Sequence, residues 1–369
     1  MTNTSVWNTI IVGSSPLVLI EAIYLSRKGL KVLVLEEKDQ LGGVWGGVNS
    51  KEFPYLEIGC HYWDISKRAY EFLRSNLGIN LEPFHPQPQF AYRNILIPYD
   101  YKQAIRVYRD LKKVIRRRSF GSFFSNMVHD EYHRPRMFPL TKKFLFPRGG
   151  SHELMTRLIS HMQETDIEMR KRTFVESIRF DFDAKQVEVG TGGESFLADE
   201  VVTGSQTRVA DALDITPKPN DTLRRTHTHV NLIVRDSIAP TFSYIRFIRH
   251  HAVNRMTDIT GHLRHWNADM SGRRVICIGI HDDFDKTVDD TEKTKQLIAL
   301  LKEYRLVDSS AEIERSYWNR YPVELLSHET RERLRRDFSP MIRLIETTNF
   351  SMGVASNVNR WESALGPKS

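Results

Sequence analysis

The feature that most constrains this chain is a strand, a tight turn, a helix and a second strand near its N-terminus. Thr9-Ile10-Ile11-Val12 leads into Gly13-Ser14-Ser15-Pro16, a helical run extends to Lys28, and Gly29 precedes Lys31 to Glu37. Val32-Leu33-Val34-Leu35 is a continuous apolar run, the pattern of a strand covered on both faces in a parallel sheet. Val18, Ala22 and Leu25 recur at helical spacing and are predicted to face that sheet. Ser15 suits an N-cap and Pro16 the first helical position, so local chemistry specifies the helix start. The plan is a βαβ unit, and its helix aims free N–H groups and a positive dipole end at the turn, where a pyrophosphate would sit.

Glu36 follows Gly13 by about 20 positions, the separation of an acid that accepts ribose hydroxyls. A carboxylate there repels a ribose phosphate and disfavours an NADP-type cofactor. The turn departs from Gly-x-Gly-x-x-Gly, because Ser15 and Val18 occupy the second and third glycine positions. Ser15 puts a side chain where backbone approaches phosphate, although its hydroxyl can donate a hydrogen bond. Val18 adds bulk where helix and strand pack, which predicts a helix set slightly farther out. On these residues alone, nucleotide binding through Gly13, Ser14, Ser15 and Glu36 and a purely structural βαβ unit both stay open.

The 369 residues suggest two domains, and 40% hydrophobic with 27% charged residues is an ordinary globular balance. Lysine and arginine exceed aspartate and glutamate by 53 to 46. That excess hints at anionic partners without requiring them. Two cysteines, Cys60 and Cys277, cannot build a disulfide framework and point to a reducing compartment. No signal-peptide pattern opens the chain, and its longest apolar stretch is broken by Gly13, Pro16 and Glu21, so a cytoplasmic protein is expected.

Leu41-Gly42-Gly43-Val44-Trp45-Gly46-Gly47 follows Glu36. With Gly13, Ala22, Gly29, Val32, Val34 and Glu36, the paired glycines Gly42 and Gly43 resemble the two-part signature of the amine oxidase-like FAD flavoproteins. That superfamily includes monoamine oxidases, protoporphyrinogen oxidases, phytoene desaturases and UDP-galactopyranose mutases. Phe146-Pro147-Arg148-Gly149-Gly150-Ser151 with a helix to about His161 resembles its Gly-Gly loop and helix. Thr173 to Phe180, Gln186 to Val189 and Asp199 to Thr203 resemble its β-meander and return to the sheet. Gly59-Cys60-His61 and Tyr321-Pro322-Val323 are similar to short mutase segments beside the flavin and the substrate diphosphate. At the C-terminus, Leu344 to Phe350 is read as a late strand and Ser351 to Leu365 as a helix, without the relatives' Gly-Asp or arginine turn.

The resemblance implies an α/β fold, with a discontinuous Rossmann-like FAD-binding domain and an α+β substrate domain. Residues 1–75, 145–220 and 320–369 would form the first, and 76–144 and 221–319 the second. It implies FAD as cofactor, held by Gly13, Ser14, Ser15, Glu36, Gly42, Gly43 and Trp45, with His61, Arg255 and Tyr321 at the chemistry. Each carries a plainer alternative: His61 as a satisfied buried histidine, Trp45 as core, Cys60 as a small buried hydrophobe, Arg255 as the partner of Asp258. Residues 105–118 read as an amphipathic helix with a basic face, either solvated or set against an anionic surface. No nucleic-acid motif accompanies it. His227, His229, His250, His251, His262 and His265 lack a metal-ligand pattern, so no metal is expected. The expected activity is flavin chemistry on a small molecule, leaning to a nucleotide-sugar or glycan precursor. An amine oxidase or desaturase, and a flavin-less scaffold, are the alternatives; oligomeric state is left open.

Overall fold

In the computed structural model of the chain, residues 6–48, 53, 55–59, 63–83, 86, 88–92, 95–98, 143–204, 206–213, 222–235, 242–247, 250–266, 268–286, 288–345 and 350–365 are described. The chain opens with β1 (Val6–Val12), α1 (Pro16–Arg27) and β2 (Val32–Leu35). A 3-10 turn, Gly43–Trp45, leads to β3 (Gly47–Val48), β4 (Leu56–Glu57), β5 (Trp63–Ile65), α2 (Lys67–Leu77), β6 (Leu81–Pro83), β7 (Gln89–Tyr92) and β8 (Ile95–Pro98). Next come β9 (Lys143–Pro147), α3 (Gly150–Gln163), β10 (Ile167–Arg170), β11 (Val175–Asp181), β12 (Gln186–Thr191), β13 (Glu194–Thr203) and α4 (Gln206–Ala212). Then follow β14 (Thr222–Arg235), β15 (Tyr244–Phe247), β16 (Val253–Asp258), α5 (Thr260–His265), β17 (Arg273–Ile280), α6 (Asp282–Asp285) and α7 (Asp290–Glu303). β18 (Glu312–Leu326), α8 (His328–Phe338), β19 (Ile342–Leu344) and α9 (Phe350–Leu365) complete it.

Two large sheets organise these elements. The first runs β10-β2-β1-β13-β12-β11, with β19 also paired to β13. Its β10, β2, β1, β13 and β19 are parallel, and β11 to β13 form the antiparallel meander. Both faces are covered. Ile11, Val32 and Val34 enter one core with α1, whereas Ile10, Val12, Leu33 and Leu35 enter another with Val187, Val189 and Val201. This is why the apolar run in β2 does not alternate.

The helix α1 differs from the expected one-sided pattern, since Pro16 through Leu25 are all buried. The sheet takes one side, while Leu154 and Leu158 of α3 and Val354 and Trp361 of α9 close over the rest. A helix apolar all round needs such enclosure. Glu21, fully buried on it, is met by Arg343 and Arg360 and by the indole N–H of Trp361 at 2.7 Å.

The second sheet runs β18-β14-β17-β16-β15-β7-β8 and is antiparallel except where β15 meets β7. Val230, Leu232 and Val234 point from β14 into a core with Leu297 and Leu301 of α7. Asp289 caps α7, its carboxylate accepting from Glu292 N at 2.9 Å. The opposite face carries Ile233, Val275 and Cys277 onto Phe53 and Leu56.

Two expectations change. β18 is one strand of the second sheet, so a boundary at 320 falls inside it and Tyr321 lies on this sheet. Pro322 fits within β18 because that strand lies at the edge of the sheet, where a missing N–H is tolerated. The late strand ends at Leu344, where the sequence suggested it began, and Phe350 opens the final helix instead of closing that strand.

Candidate functional site

The carboxyl ends of β1, β2, β13 and β19 meet at one edge of the first sheet, the place where open α/β sheets bind ligands. Gly13 follows β1 at φ +92°, and the space a side chain would fill there is open. Ser15 is at the N-cap of α1, but its hydroxyl makes no capping bond. That buried Oγ has no partner among the described residues. Ser14, buried beside it, ties the two halves of the glycine signature together. Its hydroxyl donates to Glu36 Oε2 at 2.5 Å and accepts from Gly42 N at 3.0 Å. Glu36 Oε1 accepts from Lys38 N at 2.8 Å. Gly42 and Gly43 have φ +101° and +55°, conformations that disfavour a side chain. Trp45 sits in the core against Phe350, ring centroids 5.3 Å apart.

Beside this edge, the Gly149-Gly150 turn opens α3. A Cβ at Gly149 would lie 2.7 Å from the His265 ring and 2.9 Å from Trp266 Nε1; one at Gly150 would lie 2.1 Å from Glu57 Oε1. The glycine pair exists so that these groups can close over the turn. Buried Glu57 accepts from Ser151 N at 2.6 Å, at the positive end of α3, and its Oε1 is 3.4 Å from His262 Nδ1. Trp266 Nε1 donates to Gly149 O at 2.8 Å, and Tyr55 stacks on His152 at 3.6 Å. Burial of His152 lowers its pKa, opposed by the charge of Glu57.

The second sheet closes on this region. Asn231 Nδ2 donates to Glu57 O at 2.7 Å, joining β14 to β4. On that face the β14 row grades from apolar to polar: Ile233, then Asn231 opposite Cys277, then His229 opposite Gly279, then His227 opposite Tyr321. Thr257 and Arg255 continue these rows on β16, opposite Cys277 and Gly279. A register shift between Val253 and Arg255 lets two consecutive side chains converge, since a Cβ on Gly279 would meet both Asn254 Oδ1, at 2.3 Å, and Arg255 Cγ, at 3.1 Å. Asn231 Oδ1, Asn254 Oδ1 and Thr257 Oγ1 are buried with no partner among the described residues. Arg255 Nη2 donates to His229 Nε2 at 3.3 Å, and Tyr321 Oη lies 3.2 Å from His229 Nδ1.

Thus Gly13, Ser14, Ser15, Glu36, Gly42 and Gly43 gather at the sheet edge, and Arg255 and Tyr321 each contact His229 on the second sheet. Asp258, the partner suggested for Arg255, is engaged by Arg274 at 2.8 Å. His61, Cys60 and residues 105–118 lie outside the described residues. Sequence reasoning missed Glu57, Asn231 and His229 as partners. His229 was visible only as one of two alternating histidines in an apolar run. Among the described residues, no cluster of three metal-ligating side chains exists and no helix is long and apolar enough to cross a membrane.

The chain thus joins a largely parallel sheet, carrying a glycine turn and the buried acid Glu36, to a second mixed sheet, and this fold is shared with proteins of known structure. Solved structures of that kind superpose over nearly the whole chain. A provisionally assigned protoporphyrinogen oxidase from Exiguobacterium sp. 255-15 matches with a TM-score of 0.69 at 16% identity, covering 98% of this chain and 99% of that one. Reduced UDP-galactopyranose mutase matches at 0.66 and 14% identity, covering 98% and 96%. Wild-type putrescine oxidase bound to putrescine matches at 0.64 and 14% identity, covering 97% and 99%. No protein-family model matches the chain, and no curated protein matches it in sequence.

Proposed function

We propose that this protein is a FAD-dependent enzyme acting on a small anionic molecule, with a nucleotide-sugar or glycan precursor as the favoured class. The observation that carries this reading is the bond from Asn231 to the Glu57 carbonyl, which brings the polar face of the second sheet toward the segment following Gly42 and Gly43. A cofactor on the sheet edge would then face Arg255, His229 and Tyr321.

The residues at the edge fit FAD. The unpartnered Oγ of Ser15 is a donor at the phosphate turn, and Gly13 leaves that turn open. Each Glu36 oxygen accepts one of the bonds described, which leaves acceptor capacity for ribose hydroxyls. Bound flavin supplies hydride chemistry or, when reduced, a nucleophilic ring nitrogen. Arg255 and Tyr321 bind and orient the substrate anion, and buried Asn231 and Thr257 suit a hydroxyl-bearing body. The cationic Arg255 on this face opposes an amine substrate, so a mutase-like or sugar-directed redox activity is favoured over amine oxidation.

Purified protein tests this directly. Absorbance bands near roughly 375 and 450 nm, from flavin bound through the turn groups, are expected as isolated or after adding FAD. UDP-sugars should protect dithionite-reduced protein from proteolysis, and amines should not drive oxygen consumption. A colourless protein that takes up no FAD would support a flavin-less scaffold instead.

A further inference from the structure

At the edge of the first sheet, one hydroxyl serves two segments at once. Ser14 is only 2% exposed, and its Oγ donates to Glu36 Oε2 at 2.5 Å while accepting from Gly42 N at 3.0 Å. Chemistry fixes the order of donors: a backbone amide only donates, so the single Ser14 proton goes to the carboxylate. Glu36, itself buried, is held at its other oxygen by Lys38 N at 2.8 Å. Gly42 is held on three sides. Its amide goes to Ser14, its carbonyl accepts from Trp45 N at 2.9 Å, and Met155 of α3 lies where a side chain would point. Gly43 follows at φ +55°, exposed, and the space beside its Cα is open. The Ser14 hydroxyl thus fixes an acid on one side and, on the other, a turn that presents bare backbone to open space.

We infer that Ser14 is a positioning residue that makes the acid Glu36 and the turn at Gly42 and Gly43 one preorganised unit, and so sets the site for a dinucleotide over an adenine mononucleotide. The ligand chemistry is an adenosine diphosphate carrying a further group, as in FAD. Its ribose hydroxyls donate to Glu36, and the further group passes along the open side of Gly43. A mononucleotide needs only the first contact. A dinucleotide needs both at a fixed separation, and a segment held in place before binding lowers the ordering cost. The inference rests on the function proposed above for its ligand, but not for the bridge from Glu36 to Gly42.

Two measurements test it on the full chain. Without ligand, the Gly42 amide should exchange its hydrogen slowly, and Ser14→Ala should speed that exchange about tenfold by removing its acceptor. Ser14→Cys, of similar size, takes the place of the alanine variant should that one fail to fold. Unchanged exchange overturns the bridge, whether or not flavin binds. The second measurement sets ADP affinity, by calorimetry, against FAD affinity, by flavin fluorescence. Ser14→Ala should weaken ADP about threefold, the ordering cost of a released side chain, and FAD about tenfold beyond that, the net worth of one hydrogen bond at Gly42. In a Glu36→Ala background, Ser14→Ala should leave ADP affinity unchanged and still weaken FAD, because Ser14 then acts through Gly42 alone. Equal losses for the two nucleotides in either background overturn the positioning role, as does native protein that binds no dinucleotide. Refusal of FAD, with the same split shown by NAD against ADP, would instead refute only the flavin reading.

Discussion

Glu36 occupies the position at which a ribose-binding acid is expected, and its surroundings show what that position requires. Ser14 and the Lys38 amide each hold one oxygen, so the carboxylate is fixed before any ligand arrives. Pre-set geometry of this kind lowers the ordering cost of binding. In the proposed site, Glu36→Ala would remove the acceptor for the ribose and leave the Ser14 hydroxyl to re-aim. FAD should bind at least about tenfold more weakly, the cost of losing a charged hydrogen bond, as read by flavin fluorescence titration; unchanged retention would remove Glu36 from the site. Gly279 makes the complementary case on the second sheet. Gly279→Ala would drive a methyl against Asn254 and Arg255, whose side chains cross it. Overpacking of this kind costs about 1–3 kcal/mol, so a lower urea midpoint and weaker UDP binding are expected together.

At the scale of elements, the C-terminal β19 and α9 are anchored to α1 by charge. Burial opposes ionisation of Glu21, but hydrogen bonds and charge from Arg360 and Arg343, with the Trp361 indole, outweigh it and lower its pKa below the ordinary 4.5. A carboxylate depressed on folding adds stability that is complete above the unfolded value and lost as pH falls through the folded one. Urea stability should therefore decline below about pH 4.5, and Glu21→Gln should flatten that decline. Arg360→Ala should cost about 3 kcal/mol, the low end for a broken buried pair, because Arg343 still engages one oxygen. Such pairs also explain which parts of the structure were legible in sequence. The βαβ unit rests on neighbours: Gly13, Pro16 and an unbroken apolar β2 are read within one window. The acid-capped start of α7 is equally local. Glu21 meets Arg360 across 339 positions and His229 meets Tyr321 across 92, so no local pattern announces either. Glu57 meets the Ser151 amide across 94 positions, so nothing near it in sequence marks it either. Tyr321 reaches the second sheet only by pairing with His227, on a strand far earlier in the chain.

For the whole molecule, the question is how tightly the two sheets act as one body. Polar contacts between them gather near Glu57, with Asn231 on its carbonyl, His262 beside its carboxylate and Trp266 on the adjoining Gly149 carbonyl, while Leu326 of β18 packs on Ala210 and Leu334. Glu57 also sits at the start of α3, whose Met155 lies where a Cβ on Gly42 would point, 3.0 Å away. A cofactor at the glycine edge is thus linked to the second sheet through α3 and β4. Ligand at 100 times its dissociation constant stabilises the state it binds by about 2.7 kcal/mol. If the contacts at Glu57 transmit this, calorimetry of the native chain should show one transition, shifted upward as a whole by FAD. Asn231→Leu with Trp266→Phe keeps the apolar bulk and removes both hydrogen bonds. That variant should unfold in two steps, of which FAD raises only the one belonging to the first sheet, and UDP affinity should lose its dependence on flavin. A single transition with the native shift in this variant would mean that apolar packing alone, Phe53 and Leu56 against Val275 and Cys277 and Leu326 against Ala210 and Leu334, couples the halves.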